Sequence, residues 1–119
     1  VCMSDTFSII KDSDIPLMLE CDDYEKFVKE LNQAGFHATC LGLAGESGEL
    51  LDLIKKRDHH GVNVSKEQII DEAGDVLFYL VGLLVSEGAS LSQVISWNTE
   101  KLRARYPDGF KAGGGIRKK

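Results

Sequence analysis

The chain has 119 residues, with 14 Lys and Arg against 19 Asp and Glu and a formal net charge of −5 at pH 7. That length holds one domain, and 43% apolar with 28% charged residues excludes both a disordered and a membrane composition. Charge is unevenly placed: residues 1–100 carry a net of −11 and residues 101–119 a net of +6, and so acidic a body argues against nucleic acid as a partner.

Residues 1–21 show no sustained period, and Pro16 interrupts the run from Ile15 to Leu19. They are read as an irregular arm. They hold no basic stretch followed by an apolar one, so nothing there reads as a secretory leader. Cys2, Cys21 and Cys40 are odd in number and form no Cys-x-x-Cys pair. That disfavours a disulfide scaffold or a zinc knuckle and suits a reducing, cytoplasmic setting.

A helical domain is predicted over residues 22–110. Asp22 is placed to cap a first helix over residues 23–34, with Tyr24, Phe27, Val28 and Leu31 as its apolar stripe and Gly35 as its stop. A second helix is predicted over residues 39–57, with Leu43, Ser47, Leu50 and Ile54 on one stripe. Gly42, Gly45 and Gly48 each weaken it by up to ~1 kcal/mol, which asks for close helix packing or a close ligand. Lys55, Lys56 and Arg57 suit its C-terminal end. A polar loop over residues 58–64 follows. Ser65 with Gln68, and Ser90 with Gln93, then form two capping-box signatures that open a third helix, to about Glu87, and a fourth, to Tyr106. Residues 111–119 read as a basic, glycine-rich tail. No segment alternates as a strand. The class is all-α, a four-helix bundle.

The third helix carries the longest uncharged apolar run, Val76 to Val85, ten residues. A membrane span needs about 20, so no membrane partner is expected. Ala73, Val76, Leu77, Leu80 and Leu84 share one broad face, while Phe78 and Val85 lie nearly opposite. A helix apolar all round must be buried all round. Four short helices hardly enclose it, so the bundle is expected to be completed by a second copy of the chain.

Glu46 and Glu49 are three apart on the second helix, and Glu72 and Asp75 are three apart on the third. Side chains at i and i+3 share a face, so antiparallel helices would bring the pairs together. Converging carboxylates repel unless a cation neutralises them, and oxygen-only ligands suit Mg²⁺ or Mn²⁺. Spacing alone favours a solvated acidic face; the glycine-rich setting and the apolar neighbours pull the reading toward a site. A di-iron centre is disfavoured, because His37, His59 and His60 lie at or beyond helix ends and complete no Glu-x-x-His pair.

The segment Gly42-Leu-Ala-Gly-Glu-Ser-Gly-Glu-Leu-Leu51, followed by Asp71-Glu-Ala-Gly-Asp-Val-Leu-Phe-Tyr-Leu80, resembles the MazG-type nucleotide pyrophosphohydrolases. Their signature of ExxE, a spacer and ExxD reads here as Glu46-x-x-Glu49, 22 residues, and Glu72-x-x-Asp75. The stretch Trp97 to Phe110, with Asn98, Lys101 and Arg-Tyr-Pro-Asp-Gly-Phe, is similar to the family's C-terminal helix and ending. The resemblance implies hydrolysis of an NTP or dNTP between the α and β phosphates, giving a nucleoside monophosphate and pyrophosphate. It implies Mg²⁺ bound by Glu46, Glu49, Glu72 and Asp75, with one glutamate orienting the attacking water. It also implies substrate contacts from Asn98 and Lys101, with Arg105 assisting, and assembly as a dimer or a pair of dimers. Tyr24, Phe27, Phe78, Tyr79 and Trp97 are core residues first and base-stacking candidates second. Two other readings remain: a non-enzymatic helical interaction protein, and a phosphoribosyl-ATP pyrophosphatase.

Overall fold

The computed structural model describes residues 20–110. The predicted tail lies outside these residues, as does the predicted arm except for its last two positions. Four helices follow in order: α1 (Cys21–Leu31), α2 (Phe36–His60), α3 (Lys66–Ser86) and α4 (Leu91–Arg105). No strand occurs among the described residues. The all-α class is observed.

α1 starts and ends earlier than the periodicity predicts. Glu20 stands at its N-cap, without a side-chain cap. Asp22 sits instead in the first turn, where its carboxylate accepts from the Ser92 hydroxyl at 3.2 Å. The helix stops at Leu31 because Asn32 is engaged elsewhere. Its Nδ2 donates to Thr39 Oγ1 at 3.2 Å, and its Oδ1 accepts from the Ala34 amide at 3.1 Å. Gly35 is therefore not the stop of α1 but the N-cap of α2. The Thr39 hydroxyl donates to the Gly35 carbonyl at 3.0 Å, so this fully buried polar side chain is satisfied on both sides.

α2 is longer than predicted at both ends. Gly61 closes it in a left-handed conformation, φ 65°, donating its amide to the Lys56 carbonyl. His59 and His60 thus belong to the last turn, and the loop shrinks to residues 61–65. α3 and α4 both open with complete capping boxes, Ser65 with Gln68 and Ser90 with Gln93.

The short link folds α2 and α3 into an antiparallel hairpin, which is the most extensive contact among the described elements; α1 lies on α3, and α4 on α1. Two glycines permit close approach. A Cβ on Gly42 would sit 2.4 Å from the Tyr79 ring, and one on Gly82 would sit 2.7 Å from Asn32 Nδ2. Gly45 and Gly48 face open space, so helix contact accounts for only one of the three glycines of α2.

α3 is central, between α1 and α2; its Val81 and the Val28 of α1 are both fully buried. This corrects the expectation for Phe78 and Val85: the chain itself half-buries both, and Phe78 meets Tyr79 edge-on at 5.4 Å. The exposed large apolar side chains are elsewhere. They include Leu41 and Leu51 on α2, Ile70 and Leu77 on α3, and Ile95 and Leu102 on α4. Trp97 is 77% exposed and is not a core residue of the described chain. No residue of α4 is fully buried.

Candidate acidic metal site

The hairpin turns two sequence-distant pairs into one cluster. Glu46 and Glu49 rise from one face of α2, and Glu72 and Asp75 from one face of α3. One carboxylate oxygen from each of Glu46, Glu72 and Asp75 lies within 4.8 Å of the others. Glu49 is exposed at the rim, outside this tight set, yet close enough to act on both Glu46 and Glu72.

The electrostatics follow from that crowding. The Glu46 carboxyl is pushed above the ordinary glutamate range by burial first, then by its contact with Glu49 and the charges of Asp75 and Glu72. Glu72 is raised by burial, then by Glu49, Asp75 and Asp71. Asp75 is raised by burial, then by Asp71 and Glu49. Glu46 and Glu72 are half-buried as whole residues, but one oxygen of each, Oε2, is sealed from solvent and has no hydrogen-bond partner. A buried, unpartnered carboxylate oxygen is expensive. Two of them from facing helices, with Asp75 beside them, form a donor set that a hard divalent cation satisfies. The residues present fit such an ion.

One neighbour was not singled out in the sequence: Asp71 acts on Glu72 and Asp75, and its signal was the i, i+4 spacing to Asp75. Tyr24, expected in the core first and as a stacking ring second, reaches across from α1. Its phenol is pushed up by burial and then by the charge of Asp75.

Asn98, Lys101 and Arg105 are placed differently. All three lie on α4, Asn98 and Lys101 exposed and Arg105 half-buried. α4 leans on α1, and none of the three is among the groups that shift Glu46, Glu72 or Asp75. An open groove of about 590 Å³ runs along α4 past Val94, Trp97 and Asn98, apart from the acids. His59 and His60 are exposed at the end of α2 and do not join the cluster.

Among the described residues no helix is long and apolar enough to cross a membrane. Residues 34–110 match the MazG nucleotide pyrophosphohydrolase domain. The chain is also similar to the Gene 37 protein of Mycobacterium phage L5, 32% identical over 100 residues that cover 81% of this chain and 80% of the phage protein. No solved structure matches. The matched residues begin after α1 and contain the whole acidic hairpin together with α4, and on that match the chain belongs to the MazG nucleotide pyrophosphohydrolase family.

Proposed function

We propose that the protein is a divalent-metal-dependent nucleoside triphosphate pyrophosphohydrolase. It would cleave an NTP or dNTP between the α and β phosphates, releasing a nucleoside monophosphate and pyrophosphate. The observation that carries this is the sealed, partnerless oxygen that each of Glu46 and Glu72 holds, in two carboxyls that come within 4.8 Å of each other and of Asp75. Family membership supports it.

In this reading Glu46, Glu72 and Asp75 hold Mg²⁺, or Mn²⁺ in its place, with Glu49 at the rim. The ion, when bound, supplies screening of the phosphoanhydride and a more acidic water. Glu49 is the exposed member of the set, and it orients the attacking water by accepting its hydrogen bond. Lys101 and Arg105 are i, i+4 on α4, so they hold the departing pyrophosphate oxygens from one face while Asn98 contacts the substrate.

Assembly belongs to the same reading. Leu41, Leu51, Ile70 and Leu77 are left exposed on the hairpin, and Trp97 and Leu102 on α4. Full burial of a side chain of this size is worth roughly 1.5–3 kcal/mol, so covering the part of each that stays exposed is worth roughly 0.6–2.3 kcal/mol, which favours a homodimer or a pair of dimers over a lone chain. A cytoplasmic setting, where free nucleoside triphosphates are available, completes the proposal.

The test is incubation with each common NTP and dNTP, and with phosphoribosyl-ATP, in Mg²⁺ and in excess EDTA. Monophosphate and pyrophosphate from a triphosphate, lost in EDTA, is the expected result. Orthophosphate and a diphosphate would overturn the bond assignment. Turnover of phosphoribosyl-ATP alone would move the protein to that pyrophosphatase class. No turnover of any substrate would favour a non-enzymatic interaction protein.

A further inference from the structure

α4 is held at one end. It has no fully buried residue, and among the described elements its main contact is α1. At that contact the Glu25 carboxylate of α1 accepts a hydrogen bond from the backbone amide of Leu91, the first residue of α4. One residue on, the Ser92 hydroxyl donates to Asp22 of α1 at 3.2 Å. The helix's own cap, Ser90, takes the amide of Gln93 and leaves that of Leu91 to be satisfied from outside. Two carboxylates at a helix N-terminus also sit at the favourable end of its dipole.

We infer that Glu25 is a positioning residue: its bond to the Leu91 amide pins the N-terminus of α4 to α1 and thereby fixes where α4 presents Asn98, Lys101 and Arg105. This rests on the proposal that those three residues meet the substrate. The lever is long enough to matter. Lys101 lies ten residues beyond Leu91, about 15 Å along the helix, so a swing of about 10° at the pin moves it by about 2.5 Å. A displacement of that size is enough to break the hydrogen bonds of these side chains to a bound triphosphate, a loss of binding that KM reads. Glu25 precedes the residues that match the family, so the pin belongs to the part of this chain that the match does not cover.

The experiment compares wild type with Glu25→Ala, Glu25→Gln and Ser92→Ala, all as full chains in Mg²⁺. Amide exchange at Leu91 and Ser92 reads the pin, and nucleotide kinetics read its consequence. Glu25→Ala should speed exchange at Leu91 by about 2- to 30-fold, the range set by loss of one helix cap, and raise KM by a similar factor, with kcat changed less than about twofold. Glu25→Gln keeps a carbonyl acceptor at the same reach and should restore both. Ser92→Ala should move both the same way by less, and it carries the test if Glu25→Ala does not fold. Unchanged Leu91 exchange in Glu25→Ala overturns the pin. Faster exchange with unchanged KM, or a Gln variant as impaired as the Ala variant, overturns the positioning role. Should wild type turn over no triphosphate, the functional reading fails separately. The pin is then decided by exchange and by the anisotropy of Trp97, the one tryptophan of the chain, which lies on α4 and should become more mobile in Glu25→Ala.

Discussion

Gly42→Ala and Gly48→Ala are the same chemical change in the same helix, and the structure sets them apart. Both replace a glycine inside α2, and each gains about 1 kcal/mol of helix propensity. A methyl at position 48 meets nothing within 4 Å, whereas one at position 42 falls 2.4 Å from Cε1 of the Tyr79 ring. Ordinary contact begins near 3.4 Å, so the ring or the helix must shift by about 1 Å, with an overpacking penalty of about 1–3 kcal/mol. Tyr79 cannot retreat freely, because Phe78 stands edge-on against it. Propensity cancels between the two variants, so the stability gap equals the overpacking penalty. For a domain of this size that is a difference of about 4–20 °C in Tm. Urea unfolding followed by circular dichroism, in EDTA and at one fixed protein concentration, measures it. Gly48→Ala should exceed wild type, and Gly42→Ala should fall below Gly48→Ala by the stated gap. Equal midpoints, or Gly42→Ala as the more stable, would refute the α2–α3 contact described here.

Glu72→Gln tests the crowding of the acids. The native carboxyl is raised above its unfolded value, so the stability it contributes is present below about pH 4.3 and is lost as pH rises through the raised native value. The variant should therefore melt higher than wild type at pH 7.5 in EDTA, with the gain fading toward pH 4; a variant that melts lower at pH 7.5 contradicts the repulsion. Saturating Mg²⁺ should reverse that order, because wild type gains binding energy that the variant loses, as paired melts with and without the ion will read. Lys101→Ala should raise KM for the triphosphate while leaving calorimetric Mg²⁺ binding unchanged; weakened Mg²⁺ binding would put Lys101 at the acids instead. Leu51→Asp, at a side chain 67% exposed in the single chain, should lower the sedimentation-equilibrium mass if that face joins two copies, and an unchanged wild-type-like oligomer would exclude it from the interface.

Much of this was legible in the sequence for physical reasons. The two capping boxes are local chemistry, complete within four residues, and the structure contains both. The ExxE and ExxD pairs depend only on helical period and on a hairpin, and three of their four acids come within reach of one another. What failed was non-local. Gly35 looks like a stop for α1, but Asn32 leaves the helix first because its amide has a partner seven residues on, in Thr39. Asp22 looks like a cap and is instead an interhelix acceptor for Ser92. The opposed faces of α3 suggested that Phe78 needed a second subunit, yet the single chain already half-buries it. Trp97 on α4 turned out to be the far more exposed ring. Periodicity reports which residues want burial, not which neighbour buries them.

The acidic cluster is written in one short stretch of chain. Its four carboxyls fall between residues 46 and 75, on two helices joined by a link over residues 61–65, and neither α1 nor α4 donates an oxygen to the tight set. Contacts so close in sequence close small loops and form early. During synthesis the set is complete once α3 has emerged from the ribosome, before α4 has emerged. If the site holds the proposed cation, a nascent chain can take it on at that stage and neutralise the repulsion that would otherwise oppose the hairpin. The same layout separates two parts of the described chain: a change in α1 or α4 can alter what is presented to the acids, while the spacing of the acids is set within the hairpin alone.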